Sequence, residues 1–159
     1  MLKQKAFTLI ELMIAAAIMA IFATMAVPVF RDRVIKAQVE EGLALAGLAV
    51  DAVETFRNKT GEVPGDNRTA GIPIAEHLIG NYVTRVEISA GAIDITFGNR
   101  AHRDIHGKRL SLRPAIHPLE KRTPIAWICG KASVPEGMHA LGIDKTDFLS
   151  QELPIKCRI

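Results

Sequence analysis

The sequence predicts an α+β protein in which one long N-terminal helix packs on a four-stranded antiparallel sheet, with a disulfide-closed C-terminal region after the sheet. Three observations carry this expectation. An apolar run near the N-terminus passes into an amphipathic helical stripe, four segments between residues 84 and 130 read as strands, and two cysteines stand after the last strand and beside the C-terminus. With 159 residues, 48% of them hydrophobic, the chain has material for one folded domain. Aromatics are only 5%, so the core must come from Val, Ile, Leu and Ala. The net charge of +3 is small and says little about partners, but its distribution is uneven: residues 85–131 hold nine Lys or Arg against four acids, and residues 60–84 one against three.

The chain opens MLKQKA and then runs FTLIELMIAAAIMAIFATMAVPVF, apolar from Phe7 to Phe30 except at Thr8, Glu11 and Thr24. That is the length of a bilayer-spanning helix, roughly 20 residues or slightly more. Lys3 and Lys5 precede the run, which favours a cytoplasmic N-terminus, although Arg31 and Arg33 on the far side weaken the asymmetry. A secretory signal would have a shorter apolar core, and no convincing small-x-small cleavage site follows the run before the charged residues 31–33. An ordinary single-pass anchor accounts for length and hydropathy, but not for Glu11, since a carboxylate inside an apolar span costs a few kcal/mol and marks a functional residue whose partner must be found.

The stretch KAFTLIELMIAAAIMAIFATMAVP resembles the class III signal and N-terminal helix of type IV pilins, in particular the short-leader type IVa group. The resemblance implies the type IV pilin fold and a prepilin peptidase that cuts between Ala6 and Phe7, followed by N-methylation of Phe7. It also implies a chain held in the inner membrane with its globular domain periplasmic until the pilus assembly machinery extracts it into an extracellular homopolymer. Glu11 becomes the fifth residue of the mature chain. A neighbour's Phe7 amino group is then its expected partner, and pairing in a low-dielectric filament core would select axial register. Two positions depart from the family pattern: Ala6 stands where most members have Gly, and Ala20 where many have a helix-breaking Gly, while Pro28 matches. A pseudopilin of a type II secretion system shares these N-terminal features and is the alternative of the same class.

Beyond Pro28, Val39, Leu43, Ala46, Val50 and Val53 recur at steps of four and three, with Glu40, Glu41, Asp51 and Glu54 off that face. One helix of roughly 75–80 Å, if straight, is expected from Phe7 to about Asn58, with Pro28 and Gly42 as points of curvature. The Gly-, Pro- and Asn-rich residues 61–73 read as a loop, and IPIAEHLIG as a turn or two of helix within it. TRVEIS, AIDITFG, KRLSLRPAI and PIAWICG carry the alternation and β-formers of strands. The expected divisions are a leader at 1–6, a membrane and filament-core helix at 7–30 and a globular domain at 31–159. The last comprises helix 31–58, connecting loop 59–83, sheet 84–130 and a disulfide-bounded region 129–157.

Cys129 and Cys157 are the only cysteines. In a domain outside the cytoplasm a disulfide is the leading reading, with two unpaired thiols as the alternative. Closing a loop of this length stabilises the fold by about 3.6 kcal/mol in the chain-entropy model. No cofactor or metal is expected: His102 and His106 lie in a turn without a recognised ligand spacing, and no phosphate loop or nucleophile–base set is visible. No enzymatic activity is predicted. The basic residues Arg100, Arg103, Lys108, Arg109, Arg113, Lys121 and Arg122 are candidates for a DNA-binding surface, as in a minor pilin of natural transformation, or are solvated strand and turn charges interrupted by Asp104 and Glu120.

Overall fold

A 52-residue helix, α1 (Leu9–Thr60), opens the computed structural model, which describes residues 7–120 and 123–158, excepting the side chains of 26–29. The helix is unbroken through Ala20 and Pro28, so Pro28 does not end it. It stops at Gly61, whose φ of +79° is the left-handed conformation that glycine adopts freely, and Gly61 N–H closes the last turn on Arg57 O at 2.7 Å. The chain divides into two compact units within α1, between Val34 and Ile35.

In the first unit an 18-residue window of α1 has a mean hydropathy of 2.4, long and apolar enough to cross a membrane, and none of it is buried.

In the second unit α1 buries Ile35, Val39, Ala46, Ala49 and Val53, while Leu43 and Val50 pack only partly against the core. The buried stripe is therefore rotated slightly from the one read in the sequence. Gly42 lies on it for a steric reason: a Cβ there would sit 2.7 Å from the Phe97 ring, so glycine permits close approach of helix to sheet.

The sheet consists of β1 (Val83–Ser89), β2 (Ala92–Phe97), β3 (Arg109–Ile116) and β4 (Ala126–Cys129), antiparallel in that order, with a two-residue β5 (His139–Ala140) also pairing with β3. Four strands were legible; β5 was not, because two residues carry no periodicity. Val86, Ile88, Ile93, Ile95, Phe97, Leu110 and Leu112 join the helix residues in one core. Strand alternation puts Arg85, Glu87, Asp94, Thr96, Arg109, Ser111 and Arg113 on the opposite face. The β1–β2 hairpin turns on Ala90 and Gly91, both at positive φ, as a two-residue primed turn requires.

The connecting segment holds a single 3-10 turn at Ala75–His77, within the one or two helical turns expected of IPIAEHLIG. It also plugs the β1 edge. Asn67 is buried, donates to Val86 O at 3.1 Å and accepts Ile88 N–H at 2.6 Å, and so supplies the bonds a neighbouring strand would make.

Candidate functional site

Two features of the chain carry the candidate chemistry: the front of α1, and the surface formed by β3 and the C-terminal segment.

The apolar residues at the front of α1 are exposed, from Phe7 (80%) and Leu9 to Phe22 (67%) and Phe30. Such a continuous apolar surface is far larger than a soluble domain tolerates and calls for lipid or protein around it. Within it, Glu11 closes a capping box with Thr8. Its Oε2 accepts the Thr8 amide at 2.9 Å and the Thr8 hydroxyl at 2.7 Å, while its own amide donates to Thr8 Oγ1 at 3.3 Å. Two backbone donors that the helix leaves unpaired are thereby satisfied. The sequence signal for this was present as Thr-x-x-Glu before an apolar run, and the carboxylate was read only as a partner for another subunit. Among the described residues, Glu11 Oε1 accepts no hydrogen bond. Ala6 and the leader 1–6 lie outside the described residues, and so does the side chain of Pro28.

Cys129, at the end of β4, and Cys157, in a 3-10 turn at Ile155–Cys157, form a disulfide with Cα atoms 4.5 Å apart. Both are buried, against Leu110, Leu112 and Leu153 in the core. A second tie joins the sheet to the helix: Trp127 Nε1–H on β4 donates to Glu54 Oε1 on α1 at 2.9 Å.

From β5 the chain crosses the outer face of β3. Leu141 N–H donates to Pro114 O, on the side of β3 where β2 has ended, and Gly142 (φ +78°) passes so close to Ala92 that a Cβ would lie 2.5 Å from it. On the other side of β3, Ser111 N–H donates to Thr146 Oγ1 and Arg109 N–H to Asp147 Oδ1, filling the edge that the short β4 leaves open. Under this segment Asp94 is buried and holds the Lys145 ammonium at 2.6 Å.

The basic residues differ in exposure and in the partners they hold. Arg100 and Arg103 are exposed in the β2–β3 connection, with Arg103 Nε 3.6 Å from Asp104, and Arg109 is exposed at the start of β3. Lys108 is engaged with the buried carboxylate of Glu152 at 2.7 Å, and Arg113 is half-buried on β3. Lys121 and Arg122 lie outside the described residues. His102 and His106 sit in the same β2–β3 connection, where His106 N–H bonds to His102 O at 3.0 Å.

An exposed apolar helix with one carboxylate at its head, continuing into the core helix of a disulfide-closed α+β domain, defines a structural filament subunit. The sequence matches the family described as pilin, bacterial filament, over residues 35–158, and the prokaryotic N-terminal methylation motif over residues 1–27. The chain belongs to the pilin family. It is 35% identical to a fimbrial protein of Neisseria meningitidis serogroup B, across 98% of this chain and 94% of that one. It is also 35% identical to the type IV major pilin protein PilE1 of Neisseria gonorrhoeae, across 98% and 87%. The fimbrial protein EcpC of Eikenella corrodens is 41% identical across 69% of this chain and 74% of its own length. The chain is thus a pilus structural subunit with the alpha-plus-beta pilin fold.

Proposed function

We propose that this chain is a prepilin held in the inner membrane by its N-terminal helix, cut by prepilin peptidase between Ala6 and Phe7, methylated at Phe7 and polymerised by the pilus assembly machinery into an extracellular type IV filament. The helix serves two solvents in succession. Its apolar surface lies first in lipid and then against the helices of sibling subunits, so extraction exchanges lipid contact for helix packing. The observation that carries this reading is the carboxylate of Glu11. Its Oε2 is taken up by Thr8 in its own turn, and Oε1, which accepts no hydrogen bond among the described residues, is the atom we assign to the amino group of a neighbour's Phe7. A buried carboxylate left half-satisfied is costly, so correct register, where the pair closes, is favoured over every other. Adhesion and twitching motility are the uses such a filament would serve, with DNA uptake as a third.

Filaments sheared from cells expressing this chain as their main pilin would test the reading by mass spectrometry. The expected mass lacks residues 1–6 and carries one methyl group at Phe7. Filaments made of the full-length chain, or cells in which the processed chain never leaves the membrane fraction, would refute it.

For DNA contact, the candidates Arg100, Arg103, Lys108, Arg109 and Arg113 divide by exposure. Arg100, Arg103 and Arg109 remain open to phosphates, whereas Lys108 already serves Glu152. Binding by three arginines would be weak and strongly salt-dependent. Changing all three to Ala should remove any salt-sensitive DNA retention by filaments, and unchanged retention would dismiss this use of the surface.

A further inference from the structure

Besides the hydrogen bonds along β3, two ion pairs and one disulfide fasten the C-terminal segment to the rest of the domain. Lys145 Nζ–H donates to Asp94 Oδ2 at 2.6 Å. The other oxygen of Asp94 accepts the Ser111 hydroxyl at 2.6 Å, and Ser111 Oγ in turn accepts the amide of Lys145 at 2.9 Å. Asp94 and Ser111 are cross-strand partners on β2 and β3, so the segment is held by both strands at once. A second fastening reverses the polarity. Here the lysine, Lys108, precedes β3 and the acid, Glu152, belongs to the segment; Glu152 Oε2 accepts Lys108 Nζ–H at 2.7 Å and Leu149 N–H at 2.9 Å. Between these pairs Phe148 is buried edge-on to Phe97, with ring centroids 5.3 Å apart, and the Lys108 ammonium stands 5.5 Å from its ring. Cys157 follows a few residues after Glu152, so a segment anchored at Lys145, Phe148 and Glu152 carries its sulfur to Cys129.

We propose that the two ion pairs dock this segment before the disulfide forms, making Asp94, Lys145, Lys108 and Glu152 positioning residues for the oxidation of Cys129 and Cys157. The disulfide then locks a segment already in place. Chemically, the thiolate of one cysteine attacks the disulfide of a small or protein disulfide oxidant, forming a mixed disulfide and releasing one thiol. The thiolate of the second cysteine displaces the other sulfur of the oxidant, giving the Cys129–Cys157 bond and a second released thiol, with the two protein protons carried by the leaving thiols. Docking and cross-linking are linked equilibria: docking raises the effective concentration of one thiol at the other by the same factor by which the cross-link strengthens docking.

The linkage is measured on the full-length chain in detergent micelles, equilibrated with reduced and oxidised glutathione. Lys145→Met, which strands the buried Asp94 carboxylate, and Asp94→Asn, which leaves the half-buried Lys145 ammonium without its counter-charge, should each lower the effective molarity of the disulfide about tenfold or more. Lys156→Met, beside Cys157 but exposed, should leave it unchanged. A less than twofold effect of both ion-pair variants would overturn the proposal. A second measurement holds even if those variants fold poorly. In the full chain carrying Cys129→Ser and Cys157→Ser, the amides of Lys145, Asp147 and Leu149 should remain protected from hydrogen exchange. Exchange at the rate of an unstructured peptide would show that the disulfide does the docking, and would overturn the proposal by itself.

Discussion

Glu11 and Asp94 are both acids set in apolar stretches of sequence, yet Glu11 draws its hydrogen bonds from Thr8 three residues away, whereas Asp94 draws its ammonium partner from fifty-one residues away. Asp94 is closed within the fold: both oxygens are occupied, by Ser111 and Lys145, and the carboxylate is buried. Among the described residues, Glu11 is bonded through Oε2 alone. The difference separates a charge satisfied by the folding of one chain from a charge that, on the proposed reading, is left for a second. It also explains why one feature is readable in sequence and the other is not. An acid in a membrane-length apolar run stands out, while an acid in a strand looks like any solvated residue until the segment that covers it is known.

The largest way to break this comparison is Glu11→Ala. It removes the reserved charge without disturbing the apolar run, so membrane insertion should be unchanged. Filament yield should fall by roughly a hundredfold or more, because on the proposed reading the neighbour's amino group would be left without its partner in the filament core. Quantifying sheared filaments against the membrane-bound pool checks both halves. Ordinary yields would mean that Glu11 serves only to cap its own helix.

Asp94 should respond in another currency. Asp94→Ala leaves Lys145 and Ser111 without their acceptor, and the full chain in micelles should lose about 3 kcal/mol toward denaturant, discounted from the upper range because Lys145 retains some solvent access. Replacing both members, Asp94→Leu with Lys145→Leu, should restore most of that stability, since two apolar side chains need no partner. If the double variant is as unstable as the sum of the singles, the pair is not the coupled unit the geometry shows.

A smaller effect is expected from Thr8→Val. The hydroxyl that holds Glu11 disappears while the backbone bond can persist, so the first turn of α1 should lose about 1 kcal/mol, the usual worth of an N-cap side chain. Hydrogen exchange at the Glu11 amide in micelles reads this directly. No acceleration would indicate that the capping box is not populated there.

Most of the architecture was legible because it rests on local pattern. The stripe Val39, Ala46, Val53 fixed the buried face of the helix to within a small rotation, and alternation located four strands and, with them, which residues face away from the core. What escaped were contacts joining distant positions. Nothing around Lys108 distinguishes a phosphate-binding cation from the partner of Glu152, forty-four residues later. Likewise Asn67, in a stretch read as loop, gives no local hint that it completes the edge of β1. Gly42 was read as a point of helix curvature, but the space its missing side chain leaves is taken by the Phe97 ring, which no helix pattern reveals. The Thr8–Glu11 box is the opposite case, a local motif that was readable and was eclipsed by a more conspicuous role for the same acid.

The smallest effect belongs to Asp66, which sharpens the comparison from inside the globular unit. Like Glu11 it is an acid served from three residues away, its Oδ1 accepting the Thr69 amide at 2.7 Å, but it stands exposed in the connecting loop. That amide, and after it the Thr69 hydroxyl, hold the carboxyl below its ordinary value of 3.8. A carboxyl lowered in the folded state contributes its stabilisation above the unfolded value and loses it as pH falls through the folded one, so the Asp66–Thr69 turn should loosen only below about pH 4. Following the Thr69 amide shift by NMR as pH is lowered should show the turn intact at neutral pH and released in acid, with little effect on the denaturation midpoint above pH 5. A transition at or above the ordinary carboxyl value would mean that the local bonds do not favour the ionised form.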